Sequence, residues 1–320
     1  MEVMCAHLRR PLRHAADIRY NNECYRPVGH RCFAHIEKGV TDLSICYLDG
    51  KFTQLSECRL PVTDMAVQRG VAVFEAVRFY DRKLFAADLH LARLAESAKR
   101  AGIAAEKVLP LLPEIFSAGV KTEGCPDEGL VRPFITGGDV NDKGRFPEPR
   151  FFVIFGAITK TSEEERRRGA VLVPNRMERP YPLCKSTNYL FALIPLSSAD
   201  RLNHETLYMP DGEITEAMTN NFFLCRGGKI ITAPVGRVLD GVTRKVVLTL
   251  ARENGFVIEE RCPKAEELAG ADEAFITGTV NELLSVVRVG DTTIGNGKPG
   301  PVAAHLYRLF LANIGRWLSD

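Results

Sequence analysis

Apolar and polar positions fall into short alternating runs from Ile45 onward. ICYL and KFTQL flank Asp49-Gly50, a dipeptide that favours a tight hairpin turn. VAVFEAVRFY, Asp81-Arg82-Lys83 and LFA predict a second hairpin. Between Ala87 and Ile103 the spacing changes to that of a helix. Leu91, Leu94, Ala95, Ala98 and Ala101 share one face, and Gly102 marks the end. LVRPFITGG and RFFVIFGAI read as buried strands, and the charge run over 161–168 as a solvated loop or helix face. VLVPNRMERPYPL is broken by prolines and reads as a connection. Beyond it, strands at ETLYMP, NFFLCR, KIITAP, EAFITG and LLSVVRVG alternate with helices over 243–254 and 302–318. The first of these helices buries Val246, Val247 and Leu250 and stops at Asn254-Gly255.

This pattern divides the chain into four parts. Residues 1–40 lack periodicity and form an extension, 41–168 a small α+β domain, 169–182 a connection between domains, and 183–320 a larger domain. A chain of 320 residues is long enough for two cores. Lys and Arg number 42 against 40 Asp and Glu, so no global field points to nucleic acid or an anionic membrane. Positive charge is instead local, at Arg9, Arg10, Arg13, Arg19, Arg26 and Arg31. Glu2, Asp17 and Glu23 in the same stretch argue against a transit peptide, and the absence of an apolar stretch there argues against a secretory signal. No apolar run approaches the roughly 20 residues that span a bilayer. The 9 cysteines are odd in number and contain no C-x-x-C, which fits reduced cytoplasmic thiols better than a disulfide framework or a zinc site.

Four segments carry candidate chemistry. Lys185 lies in YPLCKSTNYLFAL, an uncharged and partly aromatic setting. Desolvation disfavours an ammonium, and a neutral amine is what capture of an aldehyde requires. Glu216, in DGEITEAMTNNFFL, is a carboxylate just ahead of an apolar run, where it could keep a pyridine nitrogen protonated. Gly241-Val242-Thr243 opens a helix, whose unpaired N–H groups and positive dipole end suit a phosphate. Thr277, Gly278 and Thr279 follow a strand as a small-residue turn that allows close backbone approach and offers hydroxyls.

In this order the segments resemble the class IV aminotransferases. The likeness rests on VFEAVRFYDRKLF, HLARL, KSTNYL, GEITEAMTNNFF, LDGVTRKVV and FITGTVNELLSVVRVGD with GKPGP, and covers roughly Ile45 to Phe310. It implies a two-domain α+β and α/β fold of the D-amino-acid aminotransferase kind (fold type IV). A small N-terminal domain and a larger barrel-like one would hold pyridoxal 5'-phosphate between them. By the same resemblance, Lys185 binds the cofactor as a Schiff base and shuttles a proton from substrate Cα, and Glu216 pairs with the pyridine nitrogen. Arg93, Val242, Thr243 and Thr279 hold the phosphate, and Tyr189 and Asn221 complete the cofactor contacts. Phe74 and Arg78, in a segment close to the branched-chain pattern, are the substrate candidates. In TGGDVNDKGRF, Asp142 and Gly144 stand where D-amino-acid enzymes carry the Arg and His of their carboxylate trap, although Lys143 and Arg145 are adjacent. The activity implied is transfer of an amino group between an amino acid, branched-chain L-amino acids favoured, and a 2-oxo acid. A cytoplasmic homodimer with small-molecule substrates and no nucleic-acid or membrane partner is expected. The alternatives are an aminodeoxychorismate lyase, which releases pyruvate, and a D-amino-acid or (R)-amine transaminase.

Overall fold

The computed structural model describes residues 44–141, 146–196 and 205–320. The 1–40 extension and residues Asp142, Lys143, Gly144 and Arg145 lie outside the described residues. The first sheet begins with β1 (Ile45–Leu48) and β2 (Lys51–Gln54), the expected hairpin. Asp49 and Gly50 both adopt positive φ, 51° and 82°, as the turn between two right-twisted strands demands. β3 (Ala72–Phe74), β4 (Val77–Tyr80), β5 (Lys83–Phe85), β6 (Gly129–Thr136) and β7 (Phe151–Ala157) follow.

The second predicted hairpin is only partly realised. β4 pairs with β5, but β3 and β4 both pair with β6 instead of running as one strand. The break falls at Glu75-Ala76 and lets Glu75 turn into the interior, where it is fully buried. At the β4–β5 turn Asp81 and Arg82 take positive φ without a glycine. Arg82 anchors that strain, since its N–H and guanidinium bond Asp127, Val120 and Cys125 across the turn.

The second sheet comprises β8 (Ala170–Asn175), β9 (Glu205–Tyr208), β10 (Asn221–Arg226), β11 (Lys229–Thr232), β12 (Val257–Glu260), β13 (Glu273–Gly278), β14 (Glu282–Val289) and β15 (Thr292–Thr293). Its order is β12-β11-β10-β13-β14-β8-β9, with β15 on β14. Two departures from the sequence reading appear here. Residues 170–175, expected within a connection, form β8, an inner strand parallel to both β14 and β9. Pro174 hid it, because a proline inside an apolar run argues against a central strand. The helix expected over 302–318 ends at Asn313, and the chain then returns to the first sheet as β16 (Leu318–Ser319), antiparallel to β5.

Helices fill the faces. Ala87–Arg100 and Leu112–Lys121 bury Leu94, Ala98, Leu112, Phe116 and Val120 against the first sheet. Val242–Glu253 and Pro301–Asn313 bury Val246, Val247, Leu250, Leu306 and Phe310 around Phe223 and Phe275, and Phe85 joins that core. The other side of the second sheet closes over Leu172, Leu207, Phe222, Leu224, Ile276 and Leu284. The charge run resolves into a helix, Glu163–Arg168, opened by a capping box at Ser162 and Glu165.

Candidate active site

Lys185 is held by its backbone. Its N–H donates to Ser97 Oγ at 3.0 Å, and its carbonyl accepts from the Phe74 N–H at 3.0 Å. Helix and β3 thereby fix the side chain, whose Nζ lies 4.5 Å from the Phe74 ring centre. Phe74 stacks on Phe134 at 5.3 Å, and Phe134 on Phe152 at 4.8 Å, so the lysine stands beside an aromatic wall.

Glu216 is buried and heavily bonded. Arg179 Nε donates to it at 2.7 Å, the Leu239 N–H reaches both oxygens at 3.1 Å, and Asn221 Nδ2 lies 3.4 Å away. Burial pushes the carboxyl upward, and Arg179 and the Leu239 N–H oppose that rise. Asn221 also donates to the Leu239 carbonyl at 2.9 Å. Arg179 was not found from sequence. It is buried, its Nη2 donates to the Met218 and Ala217 carbonyls, and its guanidinium lies over the Tyr208 and Tyr189 rings at 5.4 and 5.7 Å.

On the opposite side, Arg93 forms a two-pronged pair with Glu75 at 2.6 and 2.9 Å and donates to the Asp240 carbonyl at 2.9 Å. His90 Nδ1 meets the same carboxylate at 2.7 Å. Burial alone would raise Glu75, but Arg93 and His90 hold it well below the usual carboxylate range. Asp240 leads into the helix Val242–Glu253, whose N-cap Gly241 supplies no side-chain cap. A Cβ at Gly241 would lie 1.9 Å from Asn221 Oδ1, and one at Gly278 would lie 2.3 Å from Asn220 Oδ1. Both positions therefore require glycine for packing.

These groups meet around one cleft. Lys185, Arg93, Glu216, Tyr189, Asn221, Val242, Thr243 and Thr279 all border it, as do Arg179, Thr219, Asn220 and Thr277. Thr277 Oγ1 is buried with no hydrogen-bond partner among the described residues. Phe74 adjoins through its contact with Lys185. Arg78 is not brought there. Its guanidinium is held by Glu128 at 2.5 Å and Glu282 at 3.0 Å, with Nη1 3.4 Å from the Val280 carbonyl. Sequence reasoning also passed over Arg132. It shares the β6 face of Phe134, and its Nη2 is buried without a partner among the described residues. Alternation along RPF was the available signal for its facing.

A lysine amine, a clamped carboxylate and an uncapped helix end thus converge in one cleft. The family model for amino-transferase class IV matches residues 72–289, and the chain belongs to that family, whose members are pyridoxal-phosphate-dependent transaminases. A D-alanine aminotransferase from Bacillus licheniformis is 30% identical over 81% of this chain and 93% of its own length. A putative branched-chain-amino-acid aminotransferase from Methanocaldococcus jannaschii is 29% identical over 85% of this chain and 96% of its own. Among solved structures, the T.th. branched-chain amino acid aminotransferase with pyridoxamine 5'-phosphate superposes with a TM-score of 0.77 at 25% identity, over 86% of this chain and 97% of that one. The Escherichia coli branched-chain enzyme gives 0.77 at 26% identity, over 86% and 98%. Among the described residues, no helix is long and apolar enough to cross a membrane.

Proposed function

We propose that the protein transfers an amino group between an apolar, branched-chain-like L-amino acid and a 2-oxo acid, with pyridoxal 5'-phosphate held in the cleft and Lys185 as its covalent anchor. The observation that carries this reading is the placement of Lys185 between an aromatic wall and the Glu216 carboxylate in one cleft. The cleft fits the cofactor's parts. An orphaned Thr277 hydroxyl, the glycine approaches at Gly241 and Gly278 and the uncapped helix end at Val242-Thr243 suit a phosphate. Arg93, already neutralised by Glu75, would position that group more than it would add charge. When bound, pyridoxal phosphate supplies an aldehyde that captures the donor amine and a ring that withdraws electrons from substrate Cα.

The protein supplies the rest. Lys185 Nζ would carry the proton from substrate Cα to the cofactor carbon that receives the amino group. Glu216, held by Arg179 and the Leu239 N–H, keeps the ring nitrogen protonated. The Phe74–Phe134–Phe152 stack offers an apolar surface for the substrate side chain. Arg132, on the same face and with an unpaired Nη2, is the cation to which the substrate carboxylate would pair. The six described cysteines are free, in keeping with a cytoplasmic setting.

Replacing Lys185 with Ala should abolish turnover, lowering kcat by about 10³-fold or more while phosphate-based cofactor binding persists. Full activity in that variant would end the assignment. The wild-type protein should convert its cofactor to the pyridoxamine form with L-leucine before D-alanine or an (R)-arylalkylamine. Conversion by D-alanine alone would reassign the stereochemistry, and release of pyruvate from aminodeoxychorismate would make the enzyme a lyase. Tyr181, Leu190 and Ile194 are exposed and close in sequence to the cleft residues Arg179 and Tyr189, and we infer that they help pair two copies of the chain. Sedimentation should give twice the mass of 35.5 kDa, and Ile194→Asp should shift it to the monomer.

A further inference from the structure

Beneath the Thr219–Asn220 edge of the cleft lies a carboxylate without an assigned role. Glu205, the first residue of β9, is only 2% exposed. One of its oxygens accepts from the Thr219 N–H at 3.0 Å and the Thr219 hydroxyl at 2.7 Å, and the other from Asn220 Nδ2 at 2.7 Å. A buried carboxylate is costly, so three donors converging on one suggest that its charge is used.

Asn220 carries the effect onward. Its Oδ1 accepts from Asn281 Nδ2 at 3.2 Å, and Asn281 Oδ1 accepts from the Thr161 hydroxyl at 3.0 Å. The same Oδ1 would sit 2.3 Å from a Cβ on Gly278. The carboxamide therefore sets how closely the Thr277–Thr279 turn approaches the cleft.

We propose that Glu205 is a positioning residue for the cofactor phosphate. Its carboxylate orients Asn220, and Asn220 holds the Gly278 turn at the distance where Thr277 and Thr279 can donate. The inference rests on the reading that the cleft takes a phosphorylated pyridoxal. Burial pushes the Glu205 carboxyl up to about 7, against the Thr219 and Asn220 hydrogen bonds and the field of Arg179. Tyr208, on the same strand, also feels its charge. The three-donor arrangement is thus complete above neutrality and weakened below it.

The test is equilibrium dialysis of pyridoxamine 5'-phosphate between pH 6 and 8.5, with Glu205→Gln and the shorter Glu205→Asp beside the wild type. This ligand carries no aldehyde, so its binding does not depend on Lys185. Glu205→Gln should bind about ten-fold more weakly at pH 8.5, and the ratio of its constant to that of the wild type should approach one toward pH 6. The ratio cancels the ligand's own titration. Glu205→Asp keeps the charge but loses reach, and should be weak yet still pH-dependent. Dephosphorylated pyridoxamine should show no difference between the proteins. A ratio that is flat with pH, or an equal loss for the dephosphorylated ligand, overturns the proposal. A wild type that binds neither ligand at any pH sinks the functional reading of the cleft itself.

Discussion

Arg179 and Glu216 show how the cleft depends on single residues. The guanidinium neutralises a carboxylate that would otherwise be buried alone, and a buried charge stripped of its partner costs about 3–5 kcal/mol. Arg179→Ala should therefore lower stability by roughly that amount unless Glu216 takes up a proton. Protonated, Glu216 is no longer an anion, and unpaired it is an anion that Arg179 no longer fixes in place. Cofactor affinity should fall by at least about ten-fold, and chemical denaturation with a cofactor titration would measure both losses. Ordinary stability with unchanged affinity would show that the pair is incidental. Glu216 was legible in the sequence because it stands ahead of NFFL in a segment with a family likeness. Arg179 was not, since its partner is 37 residues away and nothing in MERPYP marks it as buried. Arg132 was missed for a related reason. Its meaning comes from the facing of Phe134 and from the lack of a partner, which are properties of the sheet.

At the scale of elements, local chemistry was a good guide where the turn itself decides. Asp49-Gly50 fixes its hairpin through two positive φ angles. It was a poor guide where neighbours decide. β8 contains Pro174 yet lies between β14 and β9, because its pairing with β14 is confined to Ala170–Leu172 and Pro174 lies beyond it, paired with β9 alone. The helix Leu112–Lys121 packs so closely on β7 that a Cβ at Gly119 would lie 2.1 Å from the Phe155 ring. Gly119→Ala should thus destabilise by about 1–3 kcal/mol through overpacking, although alanine favours helices by about 1 kcal/mol. A higher melting temperature in the variant would refute that packing.

For the whole molecule, the two sheets are tied together by a strand pairing and by a shared core. β16 returns from the second half to pair with β5, and Phe85 contributes to the core of the second half. Buried charge also gives the fold a distinctive pH response. A Glu205 raised from 4.5 to about 7 stays protonated in the folded state while the unfolded chain ionises. Its contribution is present below about 4.5 and is lost as pH rises to about 7, a loss on the order of 3 kcal/mol. Glu75 acts in the opposite sense. Held low by Arg93 and His90, it stabilises above its ordinary value and loses that contribution as pH falls. Denaturation of Glu205→Gln and wild type from pH 5 to 7.5 should therefore show the variant gaining relative stability as pH rises. A constant difference would mean that Glu205 ionises freely.

The sequence by itself determined the Asp49-Gly50 turn, the helices that begin near Ala87, Val242 and Pro301, the apolar runs that become most of the strands, the order of the chemical segments and, through their likeness to a family, eight residues that meet in one cleft. These properties are local, because a turn dipeptide, a helix start or an apolar run acts over a few residues. Tertiary structure alone decided that β8 is an inner strand, that β16 closes the first sheet, that Arg78 serves an ion cluster outside the cleft and that Arg179, Arg132 and Glu205 face inward. Each of these depends on burial and on a partner far along the chain, and the free energy of a charge is set by what surrounds it once the chain has folded.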